Sequence, residues 1–226
     1  MKRRYIDIAA DNITALQPHF SALAHPLKYI DVPPRAIEYH CSHHFRTRKE
    51  LGAKLYDWGK VMDGDWDLET PDKMRTSQLA DLMKERYITG TAWEDTALFA
   101  HKMGRIAARG KIDGCHSREE LYQRYLRLDD IYAHTRETGR LLTAQERGMR
   151  PTDDLFVSIG RHGQFLFAHG GNHRLALSQV MDLPTIPMRV VMRHRAWQDV
   201  REAAKNGHIP TAYHNHPDLA EFFNHD

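Results

Sequence analysis

The sequence predicts an α+β protein, a small mixed sheet with helices plus an inserted helical subdomain. Three observations lead there. Short alternating runs lie near both ends of the 226-residue chain, and residues 71–139 carry apolar groups at helical spacing. From residue 154 onward, strand and helix patterns alternate around a glycine pair. The chain divides accordingly. Residues 1–70 form an N-terminal segment with the first core strands, 71–150 the helical insertion, and 151–226 the remainder of the core with a C-terminal helix.

The elements follow in order. Ile6, Ile8, Ile13, Leu16, Phe20 and Leu23 have loosely helical spacing, but Pro18 and Pro26 break the run. Residues 27–32 alternate as a strand that Pro33 and Pro34 stop, and Ile37–His40 is a second short extended piece. After a polar, irregular stretch over 41–58, Gly59–Met62 is a short strand opening into the acidic turn Asp63-Gly64-Asp65-Trp66-Asp67. Thr70-Pro71 has the cap-then-proline signature of a helix start, and the helix carries Leu79, Leu82, Met83, Arg86 and Tyr87 up to Gly90. Two capping boxes, Thr91-x-x-Glu94 and Ser117-x-x-Glu120, start helices that close near Gly110 and Gly139. Residues 155–160 and 164–168 are two strands joined by a three-residue loop in which Gly163 is free to take positive φ. Behind the glycine pair come a short helix over 175–181, a strand over 186–193 and a last helix over 196–205.

Composition narrows the function classes. With 32 basic and 30 acidic residues the formal charge is only +2, which argues against a polybasic coat for nucleic acid or membrane. No apolar run approaches the roughly 20 residues of a membrane helix. The basic start Met1-Lys2-Arg3-Arg4 is followed by Asp7 and Asp11 instead of a secretory apolar stretch. Cys41 and Cys115 make no disulfide framework. A cytoplasmic protein is expected, with no membrane partner. The 16 histidines cluster at 40–44, at His169 and His173, and at 214–216, but the spacings fit no standard zinc pattern. His43, His44, His214 and His216 are read as surface groups.

Two motifs carry candidate chemistry. At Gly170-Gly171-Asn172-His173-Arg174 a strand runs through two glycines into a helix. That arrangement gathers free backbone N–H groups and the positive end of the helix dipole, and it lets a phosphate approach without a Cβ in the way. The plain alternative is a tight turn with Arg174 in a structural ion pair. The acidic turn is the second motif. Asp63, Asp65 and Asp67 within five residues suit a magnesium ligand set or a base on an accepting hydroxyl. It is not a calcium loop, because Met74 stands where the twelfth-position Glu is needed. Its alternative is a solvated turn with Trp66 in the core. Trp93-Glu94-Asp95-Thr96 reads as a helix start, and Arg193-His194-Arg195-x-Trp197-Gln198 either faces a ligand or is a basic strand end with a packed Trp.

The order Val157-x-Ile159, Gly163-x-Phe165-x-Phe167, Gly170-Gly171-x-His173-Arg174-Leu175-Ala176 and Leu183-Pro184-x-Ile186-Pro187-Met188-x-Val190 resembles the ParB/sulfiredoxin superfamily. The resemblance covers about 27–40 and 154–193. It implies a ParB/sulfiredoxin-like core with a nucleotide-phosphate cradle at Gly170, Gly171, Asn172, His173 and Arg174. The sulfiredoxin turn is Gly-Gly-Cys-His-Arg, so Asn172 stands at the nucleophile and sulfinic-acid reduction is not expected. Partition proteins of the superfamily continue into a helix-turn-helix domain, whereas about 33 residues follow Arg193 here. The resemblance extends to kinases of free serine. It implies a nucleotide-dependent phosphotransferase using ATP or another nucleotide and Mg2+ on a small hydroxyl-bearing substrate. Asp63, Asp65 and Asp67 would then be catalytic, and Asp65 and Asp67 would hold the metal. The alternatives are a non-catalytic nucleotide-binding switch or adaptor and a ParB-like nuclease. The near-neutral charge makes nucleic acid the less expected partner.

Overall fold

A computed structural model of the chain describes residues 17–25, 27–41, 59–68 and 76–223. The fold is mixed α+β. Six strands, β1 (Tyr29–Val32), β2 (Ile37–His40), β3 (Lys60–Met62), β4 (Phe156–Ile159), β5 (Phe165–His169) and β6 (Ile186–His194), form one mixed sheet. The spatial order is β1-β6-β4-β5-β2, with β3 also on β6. Strands from the first 62 residues and from beyond residue 155 therefore share one sheet. Among the described residues five α-helices accompany it: α1 (Ser77–Tyr87), α2 (Ala97–Arg109), α3 (Arg118–Thr138), α4 (Asn172–Val180) and α5 (Arg195–Lys205).

β6 organises the sheet. Every residue in it except Pro187 is buried, as expected of a strand covered on both faces. On one edge it pairs antiparallel with β1 (Tyr29 opposite Arg189) and, farther along, parallel with β3 (Met62 opposite His194). Its other edge pairs parallel with β4 (Val157 opposite Val190). β4 and β5 form an antiparallel hairpin in which Ile159 faces Phe165 and Phe156 faces His169. Gly163 in its loop has φ +80°, and a Cβ there would lie 2.7 Å from the Trp197 ring. These directions set the geometry of everything that follows. β3, β4 and β6 all point their C-terminal ends, and hence the acidic turn and the hairpin loop, toward one end of the sheet. β5 runs the other way and delivers Gly170 to the opposite end. The three residue steps from Phe156 to Ile159 alone separate the two ends by about 10 Å.

The sheet core (Ile30, Val32, Ile37, Val157, Ile159, Phe167, Ile186, Met188, Val190) takes in Trp197 of α5 and Leu175 of α4. A second, more aromatic cluster joins α1, α2 and α3 through Met83, Trp93, Phe99, Leu121 and Tyr125, and reaches the core through Ala176 and Leu177 of α4. Helix ends follow local chemistry with small shifts from expectation. Thr96, not Thr91, caps α2, its Oγ1 accepting from Phe99 N–H, while Trp93–Asp95 forms a 3-10 turn. Ser117 caps α3 as expected, but Glu120 reaches back to His116 N–H, one residue beyond the usual box. Gly110 and Gly139 end α2 and α3 at φ +75° and +71°. The expected Thr70-Pro71 start and the histidines at 43 and 44 lie outside the described residues. Among the described residues no helix is long and apolar enough to cross a membrane.

A buried ionic cluster locks the C-terminal segment onto the sheet. Asp218, 1% exposed, accepts from Arg193 Nε at 2.9 Å and Nη2 at 2.5 Å and from Trp197 Nε1 at 2.9 Å. Arg201, fully buried, stands 3.2 Å from the same carboxylate and also donates to Ala22 C=O. This resolves the Arg193–Gln198 alternatives in favour of a basic strand end with a packed Trp. His216 is likewise no surface group. Its Nε2 bonds Gly163 C=O at 2.9 Å, and its ring stacks on Phe165. Burial alone would raise the Asp218 pKa, but Arg193 and Arg201 outweigh it and hold the carboxyl well below the usual range. Asp218→Asn would leave two buried guanidinium groups without their counter-charge, so it should cost about 3–5 kcal/mol in urea unfolding. Because the folded pKa is depressed, the stabilisation is complete above the unfolded value of about 4 and is lost as pH falls toward the folded one. An unchanged urea midpoint in the variant would contradict the cluster's role.

Candidate functional site: a basic cavity over the glycine turn

β5 enters the turn at Gly170, where φ is +81° and an added Cβ would stand 2.3 Å from the Asp154 carbonyl oxygen. A side chain has neither the conformation nor the space. Gly171, at φ +68°, is the N-cap of α4 and supplies no side-chain cap; Arg174 N–H donates to Gly171 C=O at 2.8 Å, and the N–H groups of Asn172 and His173 are the ones left open to an anion. A Cβ on Gly171 would meet the Arg174 guanidinium at 2.6 Å, so the two glycines let Arg174 fold back over the turn. Its Nη2 donates to the Asp153 carbonyl, which also accepts from Arg147 Nη2 at 3.0 Å.

Above this turn lies a cavity of about 530 Å³, a size that takes a small-molecule ligand. Gly170, Gly171, His173 and Arg174 line it from below. One face of α3 covers it with Arg124, Arg127, Leu128 and Ile131, at steps of three and four residues. Arg147, Thr152 and Asp153 close the side. The buried Nε atoms of Arg124 and Arg147 and the Nε2 of His173 have no hydrogen-bond partner among the described residues. Burial, and then the neighbouring Arg147, push the Arg174 pKa down to about 10, so it remains a cation at neutral pH in a site short of counter-charge. Burial lowers the pKa of His173 as well, against the pull of Asp113, and its imidazole is neutral at pH 7. Asp113 itself is held below the usual range by Lys102, 2.7 Å away, against the opposite effect of its burial. Asn172 faces elsewhere. It lines a separate cavity of about 340 Å³ with His40, His101, Lys102 and a floor of leucines.

The acidic turn is at the other end of the sheet, beside the β4–β5 loop, and the structure does not bring it to the glycine turn. Asp67 is buried, and its two oxygens accept from Arg161 N–H (2.8 Å), Nε (3.0 Å) and Nη2 (2.7 Å) and from Gln164 Nε2 (3.3 Å). Burial works against ionisation there, but the bonds from Arg161 prevail and its pKa is lowered. Asp65 is exposed and pairs with Arg161 Nη2 at 2.7 Å, and Asp63 accepts from Gly64 N–H at 2.8 Å. His194 closes the arrangement. Its Nδ1 accepts from Ala196 N–H, which leaves Nε2–H to donate to Gly64 C=O at 2.8 Å. Trp66 is packed in the core beside His194. Of the carboxylates expected as base and magnesium ligands, Asp65 and Asp67 both pair with Arg161 and so tie the turn after β3 to the hairpin loop, while among the described residues Asp63 accepts only from its neighbour Gly64. Among the described residues no group of three His, Cys, Asp or Glu side chains converges as a metal site.

Sequence reasoning found the turn and missed its cover. Arg124 and Arg127 form an i, i+3 pair on α3 and Arg147 sits in a basic loop, but the apolar stripe of α3 is the stronger signal in the sequence and masks the basic face. Compared with known proteins, the chain matches no family model, no curated protein and no solved structure. Substitutions separate clasp from catalyst. Asp67→Asn should lower the thermal midpoint by roughly several degrees because it leaves Arg161 without its principal partner. Asp63→Asn and Asp65→Asn, on exposed side chains, should leave it unchanged. An Asp67→Asn variant as stable as the parent would contradict the assignment.

Proposed function

We propose that the protein is a nucleotide-binding protein whose ligand seats its phosphates on the Gly170-Gly171 turn, beneath the arginines of α3. One observation carries this reading: four arginines and an uncapped helix N-terminus line one cavity in which, among the described residues, Asp153 is the single carboxylate residue. The resemblance of 154–193 to the ParB/sulfiredoxin superfamily, whose turn at this place binds nucleotide phosphates, supports it. The strand–strand–helix–strand order around the turn is consistent with that fold. A ligand-responsive switch or adaptor fits the described residues best, because the carboxylates expected to perform transfer are engaged at the far end of the sheet. Phosphotransfer to a small hydroxyl-bearing substrate is the second reading. It is favoured by the cavity on the other side of Asn172, where His40 and His101 are candidate bases and Lys102, paired with Asp113, supplies a cation. A nuclease is disfavoured by the near-neutral charge.

Isothermal titration with ATP and ADP tests the proposal. Wild-type protein should bind, and Arg127→Ala should weaken binding at least about tenfold, or ~1.4 kcal/mol. Arg127 is exposed and makes no hydrogen bond or ion pair among the described residues, so the same variant should unfold at the wild-type temperature. Arg174→Ala is the less clean probe because Arg174 also fixes the Asp153 carbonyl. No heat of binding with either nucleotide, or equal affinity in Arg127→Ala, would overturn the reading.

A further inference from the structure

The charge balance of the cavity defines the ligand more closely. Resting on the nucleotide reading, we infer that the cavity recognises a pyrophosphate group, two linked phosphates, in its metal-free form, with arginines in the role that Mg2+ commonly has. Arg124, Arg127, Arg147 and Arg174 against Asp153 leave a formal surplus of three positive charges, before the partial charge of the α4 N-terminus is added. A pyrophosphate group matches that surplus, whereas one phosphate monoester does not. The Asp153 carboxylate is already engaged, Oδ2 accepting from Arg150 N–H at 3.2 Å; the neighbouring Asp154 carboxylate is turned to Tyr29, Arg189 and Ala144, and among the described residues no other carboxylate lines the cavity to hold a divalent ion.

The donor geometry points the same way. Guanidinium forks suit adjacent phosphate oxygens, because each presents two parallel N–H groups. Arg174 is 9% exposed, and the buried Nε atoms of Arg124 and Arg147 have no hydrogen-bond partner among the described residues, whereas His173 Nε2 faces Asp113 Oδ2 at 4.0 Å. The cavity thus contains desolvated polar groups whose cost a polyanion would offset. The α3 arginines and the glycine turn belong to different elements that line the same cavity, so linked phosphates have more oxygens with which to engage both. Magnesium bound to the pyrophosphate removes two negative charges from the ligand and adds a cation facing four arginines. It should compete with the protein for the ligand.

Calorimetry on the full chain at constant ionic strength provides the test, with sodium pyrophosphate, orthophosphate, AMP, ADP and ATP as probes, each in EDTA and in excess magnesium. Pyrophosphate and ADP should bind in EDTA at least about tenfold more tightly than orthophosphate and AMP, and magnesium should weaken both about threefold or more. Arg127 is exposed and makes no hydrogen bond or ion pair among the described residues, and Arg127→Ala should remove the advantage of pyrophosphate over orthophosphate. Binding of ADP or ATP that requires magnesium would overturn the inference and leave the nucleotide reading standing. So would AMP binding as tightly as ADP. Failure of every probe to bind would overturn both.

Discussion

Asp154 is the join on which the site depends. It is 1% exposed, and it accepts from Tyr29 Oη and Arg189 Nε, each at 2.7 Å, and from Ala144 N–H at 2.6 Å. One carboxylate therefore ties β1, β6 and the loop after α3 to the start of β4. The Arg189 guanidinium lies over the Tyr29 ring at 4.0 Å and reaches the Leu27 carbonyl, so the pair is buried with its hydrogen-bonding capacity used. The same residue's carbonyl packs where a Cβ of Gly170 would be, and the preceding carbonyl, of Asp153, holds both Arg174 and Arg147. Fixing residues 153–154 thus fixes the floor of the cavity and one of its walls. Breaking a buried pair of this kind exposes the protein to the cost of an uncompensated charge, about 3–5 kcal/mol, a large part of ordinary domain stability.

Strand direction supplies the second constraint. Because β5 is antiparallel to β4, the chain leaves the sheet for α4 at the end away from β3 and the hairpin loop. Two features that look like halves of one active site in the sequence become separate devices. At the end with Asp67, Arg161 and His194, the buried carboxylate and the imidazole have their hydrogen bonds made within the protein, beside the exposed Asp63 and Asp65. At the other end, donors outnumber acceptors around an open cavity. Unsatisfied donors, more than the number of charged residues, distinguish a site from a structural knot.

Much of this was legible in the sequence. The strands at 29–32, 37–40, 156–159, 165–169 and 186–194 have alternating or continuous apolar patterns, and at positive φ Gly163 marks the hairpin loop while Gly110 and Gly139 mark the ends of α2 and α3. The glycine turn was readable because Gly170 and Gly171 announce a backbone that no other residue adopts easily. What escaped depended on contacts distant in sequence. Arg161 lies 94 residues from Asp67, so the acidic turn showed its carboxylates and concealed the cation that neutralises them. Arg193 and Asp218 hid each other in the same way, and His216 gave no sign of stacking on Phe165. Capping shifted from Thr91 to Thr96 because the 3-10 turn at Trp93–Asp95 intervenes, placing the Trp93 indole N–H 3.1 Å from Asp129.

The central claim is that a phosphorylated ligand meets this protein at the glycine turn and not at the acidic turn. Backbone amide chemical shifts of isotope-labelled protein, recorded while ADP is added, test it most directly. The account predicts that the perturbed amides gather at Gly170–Arg174, on the Arg124–Ile131 face of α3 and around Arg147, while those of Asp63–Asp67 and Arg161–Gln164 stay in place. Perturbations centred on Asp63–Asp67, with the glycine turn silent, would contradict it.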